Sequence, residues 1–140
     1  MDILIEKAKS ILLQNGYTCV LCLNETTVHS DKRGVRPLLD FLESETDFRG
    51  FVAADKTVGA GAAHLYVLLG VTAVWAKVIS ERGKQVLERA GITVYSDTVV
   101  PHIINRSGDG ICPIEAAVAG IDDAEKALTA IQHRLSELSK

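Results

Sequence analysis

The chain has only three cysteines, too few and odd in number for a disulfide-built scaffold, so reduced thiols in a cytoplasmic protein are the expectation. It has no basic excess either, with 15 Lys+Arg against 18 Asp+Glu and a net charge of −3. That balance excludes non-specific binding of nucleic-acid polymers or anionic membranes, both of which need positive charge. No apolar run reaches the roughly 18 residues of a membrane span, and Met1-Asp2-Ile3 lacks the basic start of a secretion leader. Aromatic residues make up 5% of the sequence, and Trp75 lies inside a strand-like run, so no base-stacking platform is expected. What is present is 47% hydrophobic sequence over 140 residues. This suits a single domain over residues 1–140, able to bury roughly two-thirds of its unfolded surface.

Asp2 is placed to cap a helix with Leu4, Ala8, Ile11 and Leu12 on one face, and Asn15-Gly16 supplies a left-handed stop. The runs Tyr17 to Leu23 and Thr26 to Ser30, joined by Asn24-Glu25, read as a β-hairpin. Ser30 or Asp31 then precedes a helix carrying Val35, Leu38, Leu39 and Leu42, with Pro37 in its first turn. The next unit alternates: strand Gly50 to Ala54, loop Asp55-Lys56-Thr57, helix Val58 to Leu69, and strand Thr72 to Ile79. A helix capped by Ser80 and ended by Gly91 follows, then strand Ile92 to Tyr95. Continuous apolar strands between helices indicate parallel neighbours covered on both faces. The expected fold is α/β, a three-layer α/β/α arrangement around a mixed five-stranded sheet, with the antiparallel hairpin first and mostly parallel strands after it. Pro101 leaves Thr98 to Arg106 open between strand and short helix. Pro113 to Val118 suits a helix start, and Asp122 or Asp123 caps a last helix striped by Ala124, Ala127, Leu128, Ile131, Leu135 and Leu138. Packing on its own core is favoured for that stripe over a partner's copy, which is nevertheless the motive for expecting a homo-oligomer.

Three segments are candidates for chemistry. Asp55-Lys56-Thr57-Val58-Gly59-Ala60-Gly61 is read as a strand-to-helix junction whose free amides, with Lys56 beside them, suit an anion. It lacks the Gly-Lys-Ser/Thr ending of a P-loop and the third glycine of a dinucleotide fingerprint. Gly59 and Gly61 also serve a plain purpose, letting a central helix pack tightly. In Asp31-Lys32-Arg33-Gly34-Val35-Arg36, cations at a helix entrance oppose its dipole, and Arg36, inside the first turn, is the better ligand candidate. In Asn105-Arg106-Ser107-Gly108-Asp109-Gly110-Ile111-Cys112-Pro113-Ile114-Glu115, Pro113 as first helical residue leaves Cys112 at the cap, where the dipole favours a thiolate. A small buried cysteine is the more ordinary alternative there. Glu115 either compensates its own helix dipole or pairs with Arg106 or Lys56. Cys19 and Cys22, three apart on a strand, face opposite sides of the sheet and do not share a metal. The four histidines show no ligand spacing, so no metal and no cofactor is expected.

With Asp55-Lys56-Thr57-Val58-Gly59, Asn105-Arg106 and Cys112-Pro113-x-Glu115 in that order, the chain resembles a prokaryotic family known as domain of unknown function 1893. The resemblance implies a cytidine deaminase-like fold. Zinc deaminases need His or Cys with Glu two residues later on one helix, and Pro-Cys-x-x-Cys opening the next. Gly34-Val35-Arg36 and Asp55 to Gly61 stand at those places here, without three metal ligands or the proton-shuttling Glu. Zinc-dependent deamination is therefore not expected.

The first functional expectation is a metal-free pocket binding a small anionic or nucleotide-like molecule through Arg36, Gly59, Gly61, Asn105, Arg106 and Glu115. The alternatives are a metal-independent enzyme using Cys112 or the Asp55/Lys56 pair, and an oligomeric interaction protein with a vestigial site.

Overall fold

The computed structural model describes residues 2–105 and 107–139. Helix α1 (Ile3–Asn15) starts where Asp2 Oδ1 accepts the Leu4 amide at 2.9 Å, and it stops at Gly16, whose φ of 69° is left-handed. Strands β1 (Cys19–Leu23) and β2 (Thr26–Ser30) form the hairpin; Asn24 takes the positive φ (53°) that so tight a turn requires. Helix α2 (Arg36–Glu43) begins later than expected, capped by neither Ser30 nor Asp31. Ser30 Oγ instead accepts the Lys32 amide (3.1 Å), and Val35 is the cap residue without a side-chain bond.

Three expected boundaries are corrected. Strand β3 (Val52–Val58) carries straight through Asp55-Lys56-Thr57, which is no loop. The ladder continues there because β3 is paired on both sides, Asp55 lying opposite Cys19 of β1 and opposite Ala76 of the neighbouring parallel strand. Helix α3 (Ala60–Leu69) accordingly starts at Ala60, with Gly59 as its extended cap residue, rather than at Val58. Strand β4 (Ala73–Ser80) leads into α4 (Glu81–Arg89), whose Gly83 amide bonds the Ser80 cap hydroxyl at 3.0 Å. The last strand, β5 (Thr93–Val100), is twice the length of Ile92 to Tyr95, and its pairing with β4 continues as far as Ser80 opposite Val100. A short helix, α5 (Pro113–Ala117), and the long α6 (Ala124–Leu138) complete the chain.

The sheet order is β2-β1-β3-β4-β5, antiparallel across β2-β1-β3 and parallel across β3-β4-β5. This is the mixed five-stranded α/β sheet expected, with helices on both sides. One face is covered by α1, whose Ile5, Ala8 and Leu12 bury against Val20, Cys22, Val52, Ala54 and Trp75. The Lys9 ammonium rests 5.0 Å from the Trp75 ring centroid. The larger core lies on the other face, where α3 is enclosed among the sheet, α2, α4, α5 and α6. Cys19 belongs to that core and Cys22 to the α1 side, so the two thiols do face opposite ways. Helix α6 buries Ala127 and Ile131 and packs chiefly on α3, so most of its stripe faces its own core, while Leu138 at its end is exposed. Among the described residues no helix is long and apolar enough to cross a membrane.

Candidate functional site

Asp55 and Lys56 are adjacent in a strand, so their side chains leave opposite faces of the sheet. They do not form a paired acid and base. Asp55 is buried against α3, where the Tyr66 hydroxyl donates to Oδ2 at 2.6 Å and the Thr57 amide donates to Oδ1 at 3.1 Å. The Cys19 thiol lies 3.2 Å from the same hydroxyl; with the tyrosine proton committed to the carboxyl, the thiol is the donor of that contact. Burial pushes Asp55 from its ordinary 3.8 up to about 7, against the opposing effect of these hydrogen bonds. Burial, reinforced by the Asp55 charge, also holds Tyr66 and Cys19 well above their ordinary values, so both stay protonated. Cys19, Tyr66 and Asp55 thus form a sealed polar chain inside the core. Neither Tyr66 nor Cys19 was a candidate from the sequence. The available signal is one tyrosine in a helix that, His64 apart, is built of small and aliphatic residues.

The amino end of α3 is where the remaining candidates meet. Gly59 and Ala60 open the helix beneath the side chain of Glu115, which comes from α5 and is 93% buried, its residual exposure being 7%. The Ala60 amide donates to Glu115 Oε1 across 3.4 Å. A Cβ at position 59 would overlap the Glu115 carboxylate and stand 3.1 Å from Ile103 Cγ1, so the glycine is needed for this approach. At Gly61 a Cβ would stand 2.6 Å from Ile114 Cγ2, and at Gly83 it would meet the Gly59 backbone at 3.0 Å. The small residues therefore serve close packing of α3 against α4, α5 and α6, and also admit one charged group.

The expectation of an open anion site is corrected here: the chain's own carboxylate fills the place where a helix dipole favours negative charge. The arrangement is not fully satisfied. Glu115 Oε2 is buried with no hydrogen-bond partner among the described residues. The Gly61 and Ala62 amides, too early in α3 for intrahelical bonds, take no acceptor among those residues either. Glu115 does not pair with Lys56, whose residue is half-buried on β3.

Cys112 is half-buried at the start of α5, its amide donating to Ile103 O at 2.8 Å; it is brought near neither Asp55 nor Lys56 by any described contact. Asn105 closes the preceding loop upon itself, its amide donating to Gly110 O (2.8 Å) and its side chain donating to Asp109 Oδ1 (3.0 Å). Together with the Ile104–Ile111 bridge, these bonds make residues 103–105 and 107–112 the described part of a small hairpin flap beside Gly59. Arg106 lies outside the described residues. Arg36 is exposed at the first turn of α2. A hollow of about 360 Å³ near that helix is lined by the stacked Tyr17 and His29 rings, 3.9 Å apart, and by the Lys32–Asp40 ion pair. Asp55, Lys56 and Cys112 do not line it. His64 is buried one turn into α3 with Nε2 3.1 Å from Ile121 O, and burial lowers its pKa, so the ring is neutral and Nε2 donates. Among the described residues no group of three or more His, Cys, Asp or Glu is placed to hold a metal ion.

A crystal structure of a DUF1893 family protein (TM1506) from Thermotoga maritima superposes with a TM-score of 0.85 at 23% identity, covering 98% of this chain and 91% of that one. At that identity the likeness carries the fold alone. No curated protein matches the chain. The model of the domain of unknown function DUF1893 (TM1506) matches residues 7–135. With nearly the whole fold inside that match, the chain belongs to the DUF1893 family.

Proposed function

We propose that the chain binds a small nucleotide-like molecule at the amino end of α3, beneath the flap of residues 103–112, with Glu115 receiving a hydrogen-bond donor of the ligand. The observation that carries this is the buried Glu115 carboxylate whose Oε2 has no partner among the described residues. Buried polar atoms are almost always paired, and an orphan acceptor beside orphan amides calls for a group that both donates and accepts. The N–H and carbonyl edge of a nucleobase has that pattern. A bare oxyanion does not, because Glu115 already holds the place the helix dipole offers and would repel it. A deaminase-like ancestry of the fold, with its pocket kept at helix amino ends, is consistent with the same placement. Asn105, on the flap, and Arg106, next to it in the sequence, are the residues proposed to meet the anionic part of such a ligand, and Arg36 remains a candidate at the α2 entrance.

The test is calorimetric titration with uracil and, separately, with inorganic phosphate, on the wild-type chain and Glu115→Gln. Uracil is expected to bind the wild type, and the variant to lose about tenfold in affinity as a charge-assisted bond becomes a neutral one. Phosphate binding that strengthens in Glu115→Gln would replace the nucleobase assignment with simple anion capture. Absence of heat with both probes in both proteins would remove the site.

A further inference from the structure

We infer that the hollow between the end of β2 and α2 is a second small-molecule site, and that it takes a flat aromatic ring carrying an ammonium group. Its volume, about 360 Å³, lies within the roughly 300–1,000 Å³ that small-ligand pockets occupy. The stacked Tyr17 and His29 rings, with planes 12° from parallel, line it from the sheet. Pro37, Asp40 and Phe41, at i, i+3 and i+4, line it from one face of α2. The segment that joins β2 to α2 is held in place although it is neither helix nor strand. The Thr18 hydroxyl donates to Lys32 O at 2.5 Å, and the Lys32 amide donates to Ser30 Oγ at 3.1 Å. A lining fixed in this way spares a ligand the cost of ordering it. Three aromatic rings and a proline suit a flat apolar body.

The charges decide what that body carries. Asp31-Lys32-Arg33-Gly34-Val35-Arg36 is rich in cations, yet neither Arg33 nor Arg36 lines the hollow. The charged residues that do are two carboxylates, Asp31 and Asp40, and one ammonium, Lys32. Lys32 Nζ is committed to Asp40 Oδ2 at 2.6 Å, which leaves one negative charge over. That charge is Asp31, whose carboxylate enters no ion pair or hydrogen bond among the described residues. A ligand ammonium balances the surplus, and aromatic walls attract a cation where they would not attract an anion. The α2 dipole disfavours a cation only over the first turn of the helix; Asp40 and Phe41 lie in the second. The hollow shares no residue with the Glu115 site, so the two assignments stand or fall separately.

Amide NMR on the full chain, with three probes built on one ring system, tests the assignment: tryptamine as the cation, indole as the neutral body and indole-3-acetate as the anion. Tryptamine is expected to shift the signals of Tyr17, His29, Asp31 and Lys32 in the wild type. Indole should bind more weakly, and indole-3-acetate at least about tenfold more weakly. Asp31→Asn, at an exposed and unpaired position, is expected to weaken tryptamine by about threefold to fivefold. Lys32→Ala, which releases Asp40, should tighten it by a similar factor, a gain that misfolding cannot imitate. Tryptamine that leaves these signals unmoved at its highest soluble concentration overturns the proposal. So does indole-3-acetate binding as tightly as tryptamine, an Asp31→Asn chain of unchanged affinity, or a Lys32→Ala chain that binds tryptamine no tighter than the wild type.

Discussion

Asp55 gives the sharpest prediction about stability. Its carboxyl is sealed under α3 and is pushed from 3.8 in an ordinary setting to about 7 in the folded chain. Between those two values the folded state holds a proton that the unfolded chain has released. The native state then binds more protons, so stability must fall as pH rises through this window. The contribution is fully present below about pH 4 and is lost by the time pH passes 7. The gap between the two values corresponds to about 4 kcal/mol, a large share of the 5–15 kcal/mol that typically separates folded from unfolded domains. Denaturant unfolding of the wild type and Asp55→Asn at intervals from pH 4 to pH 8 measures it. Asparagine cannot ionise, so the wild type should lose up to about 4 kcal/mol relative to the variant across the series. Any constant offset from the altered hydrogen bonds drops out of the comparison. Curves that stay parallel, or a wild type that gains on the variant as pH rises, would refute the assignment of Asp55 as the sealed acid.

Three further outcomes follow from the same packing. Tyr66→Phe removes the donor to Asp55 Oδ2 and should cost about 1–3 kcal/mol at neutral pH, moving the pH transition upward, as chemical denaturation at several pH values would register. Gly61→Ala drives a methyl against Ile114 and Ile131, and Gly83→Ala drives one against the Gly59 backbone; each should destabilise by about 1–3 kcal/mol in thermal unfolding, whereas alanine at an uncrowded helical surface position should not. In thiol labelling of the native chain, Cys112 should react alone, with Cys19 and Cys22 released only on unfolding, because those two are buried in opposite cores.

The layers of this fold are legible in residue order because hydrophobic period and turn chemistry act locally. Asp2 and Gly16 bound α1, Asn24 turns the hairpin and Ser80 caps α4, as their residue types dictate. The sequence reading fails at Asp55-Lys56-Thr57, where three polar residues look like a loop yet lie in a strand paired on both sides. What permits this is Tyr66, eleven residues away, and only the folded chain brings it to the carboxyl. The second half of strand β5 is hidden for a similar reason: Ser96-Asp97-Thr98 looks too polar for a strand, but an edge strand with one bare face tolerates it. The candidate site was half visible. Gly59, Gly61 and Glu115 were singled out from two distant segments, and they meet. Their meaning changes on meeting, since Gly59 makes room for Glu115 and Gly61 for Ile114 rather than for an outside anion. The grouping of Asp55, Lys56 and Cys112 did not survive, because strand alternation separates the first two and α5 carries the third elsewhere.

The central claim, that the unpaired carboxylate over α3 marks a ligand site, is tested most directly by amide NMR. Uracil titrated into the 15N-labelled wild type should shift the signals of Gly59, Ala60 and Gly61, and Glu115→Gln should need about tenfold more uracil for the same shifts. Shifts confined to the Tyr17–His29 hollow, or the same titration midpoint in both proteins, would contradict it.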